Sequence, residues 1–161
     1  MFVLGVDPGL TRTGYGILTF EHRKPVAVAA GVIRTDPKIP TARRLFELQQ
    51  DLAAVIAEYK PEVMAIERVF FRGDKSNAMT VSQASGVAMA CGAAAGIAVY
   101  DYTPSAIKFS VAGDGNADKE QLGRAVVQRF KLEEAPSPSD AVDALAVALC
   151  HSQHVRFEAV S

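Results

Sequence analysis

The sequence is poor in the features that would take it outside ordinary globular chemistry. It holds two cysteines in 161 residues. Cys91 and Cys150 both lie in Ala-rich apolar surroundings, without a CxxC or a Cys/His pairing. That offers neither a disulfide framework nor a thiolate zinc site, and reads as two small buried thiols. No apolar run is long enough to span a bilayer, so no membrane partner is expected. The start, MFVLGVDPG, has no basic leader ahead of a long apolar stretch, so a secretory signal is not expected and a cytoplasmic location is. Neither sign of charge dominates, the formal net charge being −1. That differs from the strongly basic balance common in nucleic-acid binders. It does not exclude one, because a carboxylate-rich site lowers the total while basic residues gather on one face.

What is present suits one globular domain over 1–161. Hydrophobic residues make up 49% and charged residues 22%, enough apolar material for a substantial core. FVLGV (2–6) reads as a short buried strand running into the turn Asp7-Pro8-Gly9. GYGILTF (14–20) and PVAVAAGVIRT (25–35) read as two more strands, joined as a hairpin through Glu21-His22-Arg23-Lys24. From Thr41 to Tyr59 the period becomes helical, with Leu45, Leu48, Leu52, Val55 and Ile56 on one side and Pro61 just beyond. EVMAIE (62–67) is a strand, RVFFRGDKS (68–76) a loop, Asn77 to Gly96 a helix, and AVYDY (98–102) a strand. Thr103-Pro104-Ser105 starts a helix, Asp114-Gly115-Asn116 is a turn, and Asp118 to Lys131 is a charged amphipathic helix. Ser137-Pro138-Ser139 precedes a last helix, DAVDALAVALCHSQ. The order predicts an α/β fold, a mixed sheet with three antiparallel strands first and parallel strands later, flanked by helices.

Four acids recur at telling places. Sites in open α/β sheets form beyond the carboxyl ends of strands; Asp7 ends the first strand and Glu67 the fourth. Asp140 and Asp143, three apart near the start of the last helix, share one helix face. Together they predict an acidic pocket that must bind cations or raise some of its pKa values. Carboxylate donors favour magnesium or manganese over zinc. Two such ions about 3.5–4 Å apart are a known arrangement for phosphodiester cleavage. Taken singly, an Asp before Pro-Gly is also a turn former, and an Asp after Ser-Pro-Ser is also a helix-start residue. The combination carries the reading.

VLGVDPGLTRTGYGI (3–17), AIERVFF (65–71) and SDAVDALAVAL (139–149) resemble, in order and spacing, the three acidic motifs of the RuvC-type Holliday junction resolvases. The resemblance runs along nearly the whole chain. It implies an RNase H-like fold and a homodimer that nicks two opposed strands of a four-way DNA junction, an activity of the bacterial nucleoid. It implies two Mg2+ or Mn2+ ions per active site, held by Asp7, Glu67, Asp140 and Asp143. It also implies lysines near the scissile phosphate, falling on Lys108 in PSAIKFSVAG and Lys119 in NADKEQL. An aromatic acting at the junction centre falls on Phe70, with Phe71 beside it. Some members carry His where this chain has Asp140. A branch-migration motor is a further partner that the resemblance suggests, with no segment here marking the contact.

Other features stay open between two readings. Lys108, Lys119, Arg72 and Lys75 are phosphate contacts or solvated surface charges. Of Phe70 and Phe71, one is expected to pack inward and the other to be exposed, where it could wedge or stack on unpaired bases. The small residues of helix 77–96 suit either an internal buried helix or a dimer interface. His151 and His154 are expected at the surface rather than on a metal. Three other functions compete. An actin-like or sugar-kinase ATPase has a similar Gly-containing hairpin, yet needs two such domains, and the chain has no GxxxxGK[ST] loop. A catalytically silent junction-binding scaffold would have a broken acidic set. Another RNase H-like nuclease, acting on RNA–DNA hybrid, remains a third reading.

Overall fold

The structure, a computed structural model, describes residues 1–70 and 75–158, with only the backbone for Lys75, Ser76 and 156–158. The expectations for Phe71 and Arg72, and for the side chain of Lys75, lie outside the described residues. Ten elements follow one another: β1 (Val3–Asp7), β2 (Arg12–Glu21), β3 (Lys24–Arg34), α1 (Thr41–Tyr59), β4 (Val63–Glu67), α2 (Lys75–Ala94), β5 (Ala98–Tyr102), α3 (Pro104–Ala112), α4 (Lys119–Phe130) and α5 (Ser139–Glu158). The sheet order is β3-β2-β1-β4-β5. β1, β2 and β3 pair antiparallel, while β4 and β5 run parallel to β1. The mixed sheet expected from the alternation of patterns is the one observed.

Local chemistry explains most boundaries. The hairpin between β2 and β3 turns on His22 and Arg23, both at positive φ (49° and 65°), the mirror-image turn that matches strand twist. α1 ends at Lys60, in the left-handed conformation, with its N–H on the Ile56 carbonyl. Thr103 caps α3 by accepting from Ala106 N–H, and Pro104 occupies the first turn. α4 opens on a capping box between Asp118 and Gln121. α2 starts at Lys75, earlier than the expected Asn77, and unwinds before Gly96, whose φ of 71° favours a residue without Cβ. α5 extends past the expected Gln153 to Glu158.

Strand alternation sorts the core into two layers. Leu4, Val6, Ile17, Met64 and Ile66 face α1 and α2, where Leu48, Leu52, Ala84 and Ala88 meet them. Val3, Leu18, Val63 and Ala65 face the other way, onto α3, α4 and α5. α5 is buried on nearly all sides from Ala141 to Ser152. Its approach depends on glycines in the sheet. A Cβ on Gly5 would lie 2.0 Å from the carbonyl oxygen of Ala144, and one on Gly14 would lie 2.0 Å from that of Asp140. Only hydrogen fits at either place, so these glycines set α5, and the acids at its start, against β1 and β2.

Cys91 and Cys150 are both buried free thiols, as expected. His151 is a correction. It is 2% exposed, not a surface residue. Its Nδ1 lies 2.7 Å from the Tyr102 hydroxyl, and its ring packs on Tyr100. Packing of β5 against the end of α5 encloses it, a long-range contact that helix periodicity cannot foresee. His154 is exposed, as expected, with Nδ1 on the Cys150 carbonyl at 2.9 Å. Among the described residues, no helix is long and apolar enough to cross a membrane.

Candidate active site

The carboxyl ends of β1 and β4 stand side by side. Val6 pairs with Ile66, so Asp7 and Glu67 follow in the next register position. Both share parity with Val3, Gly5, Val63 and Ala65, the residues that face α5. α5 begins over this spot, bringing Asp140 and Asp143 to the same corner. The loop after Asp7 is rigid. The Thr13 hydroxyl donates to the Gly9 carbonyl at 2.6 Å, and the Thr35 hydroxyl donates to the Leu10 carbonyl at 2.5 Å. Arg44 of α1, 8% exposed, donates to Thr35 and Thr11 hydroxyls at 3.0 and 2.8 Å and ties α1 to both strand ends.

The four acids sense one another. Burial, then the charges of Glu67, Asp143 and Asp140, push the Asp7 carboxyl up to about 8. Asp7 and Glu67 are close enough to shift each other, their mutual contact raising Asp7 and lowering Glu67. Burial raises Glu67 and Asp143 as well, against the pull of Lys108 and Lys119. Asp140 Oδ2 is buried without a hydrogen bond. Arg12 Nε lies 3.4 Å from that oxygen, in ion-pair range but outside hydrogen-bond geometry. Lys119 Nζ is 3.9 Å from Asp143, on a side chain 82% exposed. An exposed pair at that distance is weak, so the ammonium can turn to another anion at little cost.

This chemistry fits hard divalent cations. The donors are all carboxylate oxygens, one buried oxygen lacks a hydrogen bond, and burial together with like charges raises the Asp7 carboxyl to about 8. Among the described residues, no three His, Cys, Asp or Glu side chains stand close enough together to hold a metal ion between them. Acids that repel one another are expected to stand apart until a cation draws them in.

A cleft of about 630 Å³ opens beside Asp7 and Glu67, walled by Phe70, Asn77, Ser105 and Lys108. Asp143 and Lys119 border a neighbouring cleft of about 480 Å³. Lys108 lines the cleft beside Asp7 and Glu67, and Lys119 stands by Asp143. Phe70 is 56% exposed on the cleft wall. The sequence reading missed Arg12, the partner of Asp140, and the wall residues Asn77 and Ser105. Only Arg12 left a trace, being a cation within the DPGLTRTG turn.

Known proteins agree with this geometry. The family model for crossover junction endodeoxyribonuclease RuvC matches residues 3–151. A Salinispora arenicola protein of that name is 47% identical over 152 residues, 94% of this chain and 87% of the relative. One from Pelotomaculum thermopropionicum is 42% identical over 158 residues, 98% of this chain and 96% of the relative. Among solved structures, Thermus thermophilus RuvC in complex with a Holliday junction substrate superposes with a TM-score of 0.91 at 34% identity, covering 98% of this chain and 96% of that one. The architecture is accordingly RNase H-like, and the chain belongs to the crossover junction endodeoxyribonuclease RuvC family.

Proposed function

We propose that this chain is a structure-selective endonuclease that resolves four-way DNA junctions by paired nicks, working as a homodimer with two divalent cations in each active site. The observation that supports it most is the convergence of four acids from two parallel strand ends and one helix start, with Asp7 raised to about 8. Asp7 and Glu67 would hold the cations from the sheet, and Asp140 and Asp143 from α5. Bound there, Mg2+ or Mn2+ supplies the charge that lowers the pKa of an attacking water and offsets charge on the leaving oxygen. The chain's own groups do the rest. Lys108 and Lys119 approach from α3 and α4 and orient a phosphate over the acids. Phe70, exposed on the cleft wall, offers a flat apolar face to a base that has lost its stacking partner. The exposed small-residue face of α2 supports the dimer, since two flat helices can approach closely across a two-fold axis. Two sites related by that axis would cut strands of like polarity at symmetric points.

A synthetic four-way junction labelled on each strand tests this, with magnesium, manganese or EDTA. Paired, metal-dependent nicks are expected. Binding without cutting would favour a silent junction-binding scaffold. Cleavage of RNA–DNA hybrid alone would keep the metal site and overturn the substrate.

A further inference from the structure

Arg12 and Arg34 are directly opposite each other in the β2–β3 register. They also share a face. Gly14 and Gly16 lie against α5, and Arg12 has their parity; Ala30 packs on the α5-side core, and Arg34 has its parity. Like charges facing each other across strands are unfavourable. A third guanidinium, Arg44, lies beneath the same loops with hydroxyls rather than carboxylates as its hydrogen-bond partners. The nearest acid along the chain, Asp36, has Oδ1 on Lys38 N–H. Among the described residues Arg34 makes no ion pair, and Arg12 makes one, with Asp140. Positive charge therefore gathers at this corner with Asp140 as its one carboxylate partner among the described residues.

Strand order places this corner on one flank of the acids. From the β3 edge inward the sheet's active end reads Arg34, Arg12, Asp7, Glu67. Lys108 and Lys119 reach the acids from the helices on the far side. Asp7 pairs with Gly14, so Arg12 lies two residues farther along β2. With strands about 4.8 Å apart and about 3.4 Å of rise per residue, Arg12 and Arg34 stand roughly 8 and 12 Å from Asp7. That span corresponds to about two to four nucleotides of DNA, at about 3.4 Å of axial rise each.

We infer that Arg12 and Arg34 form a phosphate clamp for the backbone of the DNA arm that leaves the site across β2 and β3. The inference rests on the nuclease reading above and adds the path of the strand. Without DNA, Arg12 rests on Asp140. A cation held by Asp140 would compete with Arg12 for that carboxylate and would leave the guanidinium to a phosphate.

Binding by fluorescence anisotropy, in EDTA and over 50–200 mM salt, tests the clamp on a four-way junction and on a linear duplex of one arm's sequence. Wild type is compared with Arg34→Gln and Arg34→Lys, whose exposed side chain makes loss of the fold a minor concern that thermal unfolding monitors. Loss of one phosphate contact lowers the slope of log affinity against log salt by about 0.9. The wild-type advantage over Arg34→Gln should then shrink about 3.5-fold between the two salt limits. Arg34→Lys should keep the wild-type slope. An Arg34→Gln protein with unchanged affinity and slope on both DNAs would overturn the clamp while the junction reading stands. Equal wild-type affinity for both DNAs, with a lower slope for Arg34→Gln on each, would support the clamp and count against junction selectivity. Failure of wild type to bind either DNA would overturn both.

Discussion

α2 and α5 are both 20 residues long, both rich in alanine, and neither has the one-sided apolar stripe of α1. Their fates differ. α5 is enclosed by the sheet, α3 and α4, and its small residues are matched by glycines beneath it. α2 buries Ala84, Ala88, Cys91 and Gly92 but leaves Met79, Gly86, Met89, Ala90 and Ala93 open to solvent. A Cβ on Gly86 would meet nothing within 4 Å, whereas one on Gly5 would collide with Ala144. Small residues thus serve two ends in one molecule. Under α5 they bring acids to within electrostatic reach of the sheet; on α2 they leave a flat surface open to solvent.

The largest effect belongs to the α5 side. Asp7→Asn should lower single-turnover cleavage of a labelled junction on the order of a thousandfold while binding in EDTA persists. Retained cleavage would mean that the acid cluster does not do the chemistry. Gly5→Ala comes next, because a backbone carbonyl 2.0 Å from the new methyl cannot swing away as a side chain could. About 3 kcal/mol of destabilisation is expected, read as a fall of roughly 6–12 °C in Tm. An unchanged Tm would mean that α5 does not sit as close to β1 as described.

The acids also make stability depend on pH. Asp7 has a folded pKa near 8 against an ordinary 3.8, so between these values the folded state holds a proton that the unfolded state has lost. Metal-free protein should therefore lose stability as pH rises from about 4 to about 8, and level off above. Asp7→Asn or added Mg2+ should flatten that slope in a thermal scan. A slope of opposite sign would place Asp7 in a cation-rich setting at odds with its neighbours.

Much of this was legible in the residues. Period-two and helical spacing located the strands and α1, and carboxylates at strand ends marked the corner where α5 had to arrive. Local signals also found the caps, since Thr103 and Asp118 act on neighbours three residues away. What escaped was set by distance in the chain. His151 is buried by Tyr100 and Tyr102 from another element. Arg12 meets Asp140 from 128 positions away in the chain, a pairing that no local pattern records. Gly5 and Gly14 read as strand residues, and their use in clearing space for α5 needed the packed helix to be seen.

The smallest effect is on α2, and it discriminates most sharply between the two helices. Gly86 is helical, exposed and free of neighbours within 4 Å of a Cβ. In a lone chain, Gly86→Ala should stabilise by about 1 kcal/mol through helix propensity, opposite in sign to Gly5→Ala. If a second copy covers this face, the added methyl must also fit against its partner. The gain in Tm should then shrink or reverse as protein concentration rises, because association contributes to stability by mass action. Sedimentation of wild type and variant over a micromolar series measures the same competition directly. A concentration-independent gain, with the same mass for both proteins, would leave α2 an exposed helix with a flat face and assign the dimer contact elsewhere.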